Sequence, residues 1–202
     1  MILFDDSKSV GLIFEIVGAL MAVNSIALIV GGTNDMIVPL IEETENPDIF
    51  YMVYGGGSLI ASLIYILYAH TVMKGKFDNK LDVLAGYVRV VGVTTMIIVI
   101  GESLGEYLCG IELALTLLVA VIGTILGITV ILISFSMNNG KKTKGKRILW
   151  WILVMAFAIM VIYNFMPAES YLDLVYMIAH LLIGLFMLLF LFDPEVKMEM
   201  CP

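Results

Sequence analysis

Six apolar runs, at 10–31, 50–72, 81–101, 112–135, 148–165 and 171–192, occupy most of the chain and leave few folds open to it. A helix needs about 20 apolar residues to cross a hydrocarbon layer of roughly 30 Å, and each run meets that requirement. The runs are unbroken, whereas a membrane strand uses only about 9–11 residues of alternating polarity. A helix also satisfies its own backbone hydrogen bonds where water is absent. The expected fold class is therefore all-α: an integral membrane bundle of six transmembrane helices, with residues 1–202 forming a single domain.

Composition points the same way. Sixty-one per cent of the residues are hydrophobic and 14% charged, with a mean hydropathy of +1.03. Soluble domains run at roughly 45–50% apolar and about 25% charged. The run starting at Val10 reads as a span rather than a cleavable leader. Asp5 and Asp6 stand where a basic segment belongs, and no Ala-x-Ala pattern follows. No basic stretch is interleaved with aromatics, so a nucleic-acid partner is excluded. Cys109 and Cys201 fall at opposite ends of the expected bundle, and no CxxC metal motif is present.

The loops carry an orientation signal, because Lys and Arg concentrate on the cytoplasmic side of membrane proteins. Lys8 precedes the first run; Lys74, Lys76 and Lys80 join the second and third. Lys141, Lys142, Lys144, Lys146 and Arg147 join the fourth and fifth, and Lys197 follows the sixth. The alternate connections hold Asp35, Glu42, Glu43, Glu45, Asp48, Glu102, Glu106, Glu112, Glu169 and Asp173, with no Lys or Arg. Ten of the eleven basic residues thus lie on one side. This implies three sequential hairpins in the cell (plasma) membrane, N-in and C-in, whose charge alternation follows from topology or from an internal repeat. Residues 36–41 of the longest loop are apolar enough for a short surface helix or extended strip. Phe50, Tyr51, Tyr54, Tyr107, Trp150 and Trp151 sit at run ends, where amphipathic rings anchor at headgroup level.

Ionisable residues inside the runs are the candidate functional groups, since charge at membrane depth is costly. Glu15 lies about 9 Å into the first run, Arg89 about 12 Å into the third, and His70 about 5 Å from the end of the second. The matched depth leads us to expect a Glu15–Arg89 pair, with Tyr68, Tyr87 and His70 as associated polar groups. Such a pair serves either as an ion- or proton-coupled site or as a structural salt bridge between two helices.

Glu102, Glu106 and Glu112 surround the second acidic turn, and Glu102 and Glu106 share a helix face if the helix continues. They read as a solvated acidic face or as a cation-concentrating mouth. His180 stands alone near the middle of the sixth run, too far in depth from His70 for a shared haem. Hydrogen bonding to a neighbouring helix is its plainer role. Gly55, Gly56, Gly57 and Ser58 in the second run, and Gly123 and Gly127 in the fourth, suit close helix packing.

No nucleophile, metal-ligand or phosphate-loop pattern appears, so neither an enzyme nor a cofactor or metal is expected. Two functional classes follow. One is a small-ion or small-solute transport or channel-type protein using Glu15, Arg89 and His70. The other is a non-catalytic membrane subunit or scaffold, whose partners beyond the lipid bilayer are a homo-oligomer or a larger complex.

Overall fold

A computed structural model describes residues 4–31, 47–137, 144–165 and 171–201. Among the described residues there are seven helices and no strand: α1 Ser7–Ile29, α2 Pro47–Met73, α3 Lys80–Leu108, α4 Leu113–Met137, α5 Lys144–Tyr163, α6 Tyr171–Leu191 and α7 Pro194–Met200. Six of them, α1 to α6, are long and apolar enough to cross a membrane. At 1.5 Å per residue they measure roughly 30–43 Å.

Local chemistry sets the ends. Asp6 caps α1, its carboxylate accepting the Lys8 and Ser9 amides at 3.1 Å each and the Ser9 hydroxyl at 2.6 Å. Asn79 caps α3 through the Asp82 amide at 2.8 Å. Nothing in the sequence stops α3 at 101, and it runs on to Leu108, closing at Gly110 with φ +93°. Both Glu102 and Glu106 are therefore helical and one turn apart. The short α7 was not expected. Asp193 receives the Glu195 amide at 3.0 Å and Pro194 supplies a preset first-turn φ, which starts a helix too brief for any hydropathy window. Residues 36–41 lie outside the described residues, as do Lys141, Lys142 and Glu169.

The spans stand as a curved row in the order α4, α3, α2, α1, α6, α5, with each helix packed on its neighbours in that row. Glycines make four of the five crossings close. A Cβ at Gly11 would press on α2 at Ala69 and Met73, and one at Gly57 would lie 3.5 Å from Gly101 of α3. Gly123 and Gly127 face Val99 and Met96 of α3, fulfilling the packing role expected of them. Gly184 of α6 meets Val161 of α5.

The main core gathers at the end of the bundle that holds the start of α1. There Phe14 stacks on Tyr87 (5.3 Å between centroids) and meets Tyr68 and Phe186 edge-on. Beneath it, α7 tucks Val196 and Met200 against the ends of α3, α5 and α6. The two ends are called basic and acidic below, after their loop charges.

Candidate functional site

Arg89 does not meet Glu15. Its position fixes the direction, because Arg89, Gly92, Met96 and Val99 form one stripe of α3, and that stripe packs on α4. The Arg89 Nε–H donates to Ser134 Oγ at 3.4 Å, and the guanidinium carbon lies 4.3 Å from the Phe135 ring centroid. Glu15 sits between Gly11 and Gly18, on the side of α1 that faces α2. Glu15 leaves α1 toward α2 while Arg89 leaves α3 toward α4, so matched depth does not bring the two charges together. Among the described residues, every ion pair instead involves Lys80.

Of the associated residues, His70 stands apart, while Tyr68 and Tyr87 share the aromatic core and Tyr68 lies within electrostatic reach of Arg89. His70 is exposed beside Lys8 and Lys74, in an open depression at the basic end. Tyr68 donates its hydroxyl to the Val83 carbonyl at 2.5 Å, and Tyr87 is buried in the aromatic core.

The structure assembles a different polar group. A cavity of about 360 Å³ lies on the concave side of the row, and every span contributes to its wall. Met21 of α1, Tyr65 of α2, Thr95 of α3, Val130 of α4, Phe157 of α5 and His180 of α6 all line it. Most of the wall is apolar, and the polar atoms come from Tyr65, Tyr87, Thr94, Thr95 and His180. The Tyr65 hydroxyl interacts with those of Tyr87 and Thr94. Thr94 in turn donates to the Val90 carbonyl at 2.9 Å. His180 lies nine residues into α6 from Tyr171, or about 14 Å, which places the cavity near the middle of the spans.

His180 is not isolated. Its Nδ1 stands 2.9 Å from the Tyr176 carbonyl oxygen, and its ring lies against the Tyr176 ring with centroids 4.0 Å apart. A carbonyl only accepts, so Nδ1 carries the hydrogen and Nε2 is the second, variable nitrogen. Tyr176 and Tyr54 lie within electrostatic reach of Glu102. Tyr176 is thus in contact with His180 of the cavity wall and within electrostatic reach of Glu102 on α3. The Tyr176–His180 spacing of four was visible in the sequence; the approach of Glu102 from another helix was not.

Glu106 is one turn beyond Glu102, while Glu112 stands exposed at the start of α4. Among the described residues no group of three or more His, Cys, Asp or Glu side chains is placed to hold a metal ion. His70 and His180 line separate depressions. With known proteins compared, no family model, no curated protein and no solved structure matches this chain.

Proposed function

We propose that the chain is a transport-type membrane protein that takes a small, largely apolar solute with one hydrogen-bonding group into the central cavity. The observation that carries the reading is the convergence of all six spans on one space of about 360 Å³. That size falls at the lower end of the roughly 300–1,000 Å³ typical of small-molecule sites, which are likewise mostly apolar with a few placed polar groups. A bare ion would meet too few polar atoms here to replace its hydration. The row also has two ends, α4 and α5, that form no interface comparable to the others. Access between them from the bilayer suits a lipid-soluble solute.

In this reading the spans form three sequential hairpins with both termini cytoplasmic, supported by the ten basic residues on one side. Glu102, Tyr176 and His180 replace Glu15, Arg89 and His70 as the polar group. The role is non-enzymatic. The test is equilibration of small aromatic amines, alcohols and acids across proteoliposomes. At least one should cross faster with the protein than without it, saturably, and Thr95→Trp should abolish the difference by filling the cavity. Equal rates with and without protein across the panel would sink the reading.

One observation favours the subunit or scaffold role instead. Only 17% of the apolar window of α4 is buried, against 28–39% for the other spans. A partner helix seated on α4 would raise that share, and stoichiometric co-purification of a second membrane protein would support it.

A further inference from the structure

At the basic end, the first turns of α5 and the segment from Phe192 to Cys201 border a depression of about 430 Å³ lined by Arg147, Trp150, Trp151, Phe192, Lys197 and Cys201. We propose that this depression binds the headgroup of an anionic phospholipid, with one acyl chain lying along Trp151 and Phe192.

Two cations from different helices face one space here, and among the described residues neither takes part in an ion pair. Two acids lie equally near Lys197 in sequence: Glu195, which Lys80 engages at 3.5 Å, and Glu199, which lies outside the wall of the depression. Lys197 Nζ sits 5.8 Å from the Trp150 ring centroid. Trp150 itself is held in place, since its indole N–H donates to the Leu191 carbonyl at 2.9 Å and its ring meets Phe192 at 5.2 Å. The site is therefore built on a fixed aromatic platform rather than on mobile lysines alone.

The wall has two characters. Arg147 and Lys197 present positive charge, which suits a phosphate. Trp151 and Phe192 are about half exposed and lie at the level where tryptophan rings mark the boundary between headgroups and hydrocarbon. A free phosphate would use only the first character, whereas a phospholipid uses both. Basic pockets at this depth recognise anionic headgroups by the same means.

The chain offers a direct probe, because its only two tryptophans, Trp150 and Trp151, both line the depression. The full chain is reconstituted in phosphatidylcholine vesicles containing either brominated phosphatidylglycerol or brominated phosphatidylcholine, and tryptophan quenching is measured. With roughly a five-fold gain in binding per basic side chain, the pair predicts a preference on the order of 25-fold for the anionic lipid. Arg147→Gln with Lys197→Gln should bring that preference close to unity, and Arg147→Lys should keep most of it. Equal quenching by both lipids in the wild type overturns the proposal, as does a preference that survives the double substitution. Loss of the preference on adding inorganic phosphate at constant ionic strength overturns the lipid assignment. If the double variant does not reconstitute, the wild type decides alone: the preference must fall steadily with added sodium chloride, and persistence at high salt refutes it.

Discussion

Gly92 and Gly127 meet where α3 crosses α4, so closely that a Cβ on either would stand 2.7 Å from the other's carbonyl oxygen. This contact anchors a helix that has few others, because α4 packs on α3 and on no second span to a comparable extent. Gly127→Ala should therefore weaken the fold by about 1–3 kcal/mol through overpacking. Gly56→Ala is the matched control, since a Cβ there meets nothing within 4 Å. It should be neutral or slightly stabilising, as alanine is the better helix former. Unfolding of both variants in mixed detergent micelles checks the contrast, and equal losses would contradict the crossing geometry.

Lys80 holds three segments together. Its ammonium reaches Asp5 before α1, and Asp193 (3.1 Å) and Glu195 (3.5 Å) at the α6–α7 junction. Asp193 is almost wholly buried, so Lys80→Met would leave a carboxylate with the Glu195 amide as its remaining donor. Breaking a buried pair costs about 3–5 kcal/mol. Lys80 is partly exposed, which reduces the expected loss to about 1–3 kcal/mol. Proteolysis should then open the α7 segment first, and unchanged protection of α7 would count against the hub.

The same lysine makes the basic end sensitive to acid. Its hydrogen bond holds the Asp5 carboxyl below the ordinary aspartate value of 3.8, and Ser9 does the same for Asp6. A carboxyl whose folded value is lowered adds stability above the ordinary value and loses it as pH falls through the lowered one. Thermal unfolding should therefore drop on acidification below roughly pH 4. The drop should be smaller in Asp5→Asn, and an identical acid limb in that variant would rule out the contribution.

Depth was legible in the sequence, and direction around each helix was not. Hydropathy located all six spans because each run is long, and it missed α7 because seven residues cannot set a hydropathy window. The level of Glu15 and Arg89 followed from counting residues. Their partners depended on which helix each one faces, and that is set by the glycines beside them: Gly11 and Gly18 turn Glu15 toward α2, and Gly92 turns Arg89 toward α4. Close packing was expected of Gly55, Gly56, Gly57, Gly123 and Gly127, and not of Gly11, Gly18 or Gly92. His180 looked solitary for the same reason, since the cavity wall it joins is assembled from side chains of the other five spans. Only the Tyr176 contact, one turn away on its own helix, lay within reach of spacing alone.

The His180 contact fixes a tautomer. With Nδ1 donating to the Tyr176 carbonyl at 2.9 Å, the neutral ring must carry its hydrogen on Nδ1. Side-chain nitrogen spectra of the reconstituted protein should show the Nδ1–H form for His180, whereas free imidazole side chains favour the other tautomer. An Nε2–H signal would refute the bond.

Arg89 provides the sharpest separation between depth and direction. Its contacts with Ser134 and Phe135 predict coupling across the α3–α4 crossing, and a cation over an aromatic ring contributes about 0.5–2 kcal/mol. The cycle of Arg89→Gln with Phe135→Leu should return a coupling in that range. The cycle of Glu15→Gln with Arg89→Gln should be additive to within about 0.5 kcal/mol, as expected for sites without a shared partner. Both cycles use the same arginine substitution, so a general loss of folding affects them alike and cancels in the comparison. A large coupling in the Glu15 cycle would place the two charges in contact and refute the directions in which they leave their helices. Additivity there, with coupling to Phe135, leaves Arg89 as a second fastening of α4 to α3 beside the Gly92–Gly127 crossing.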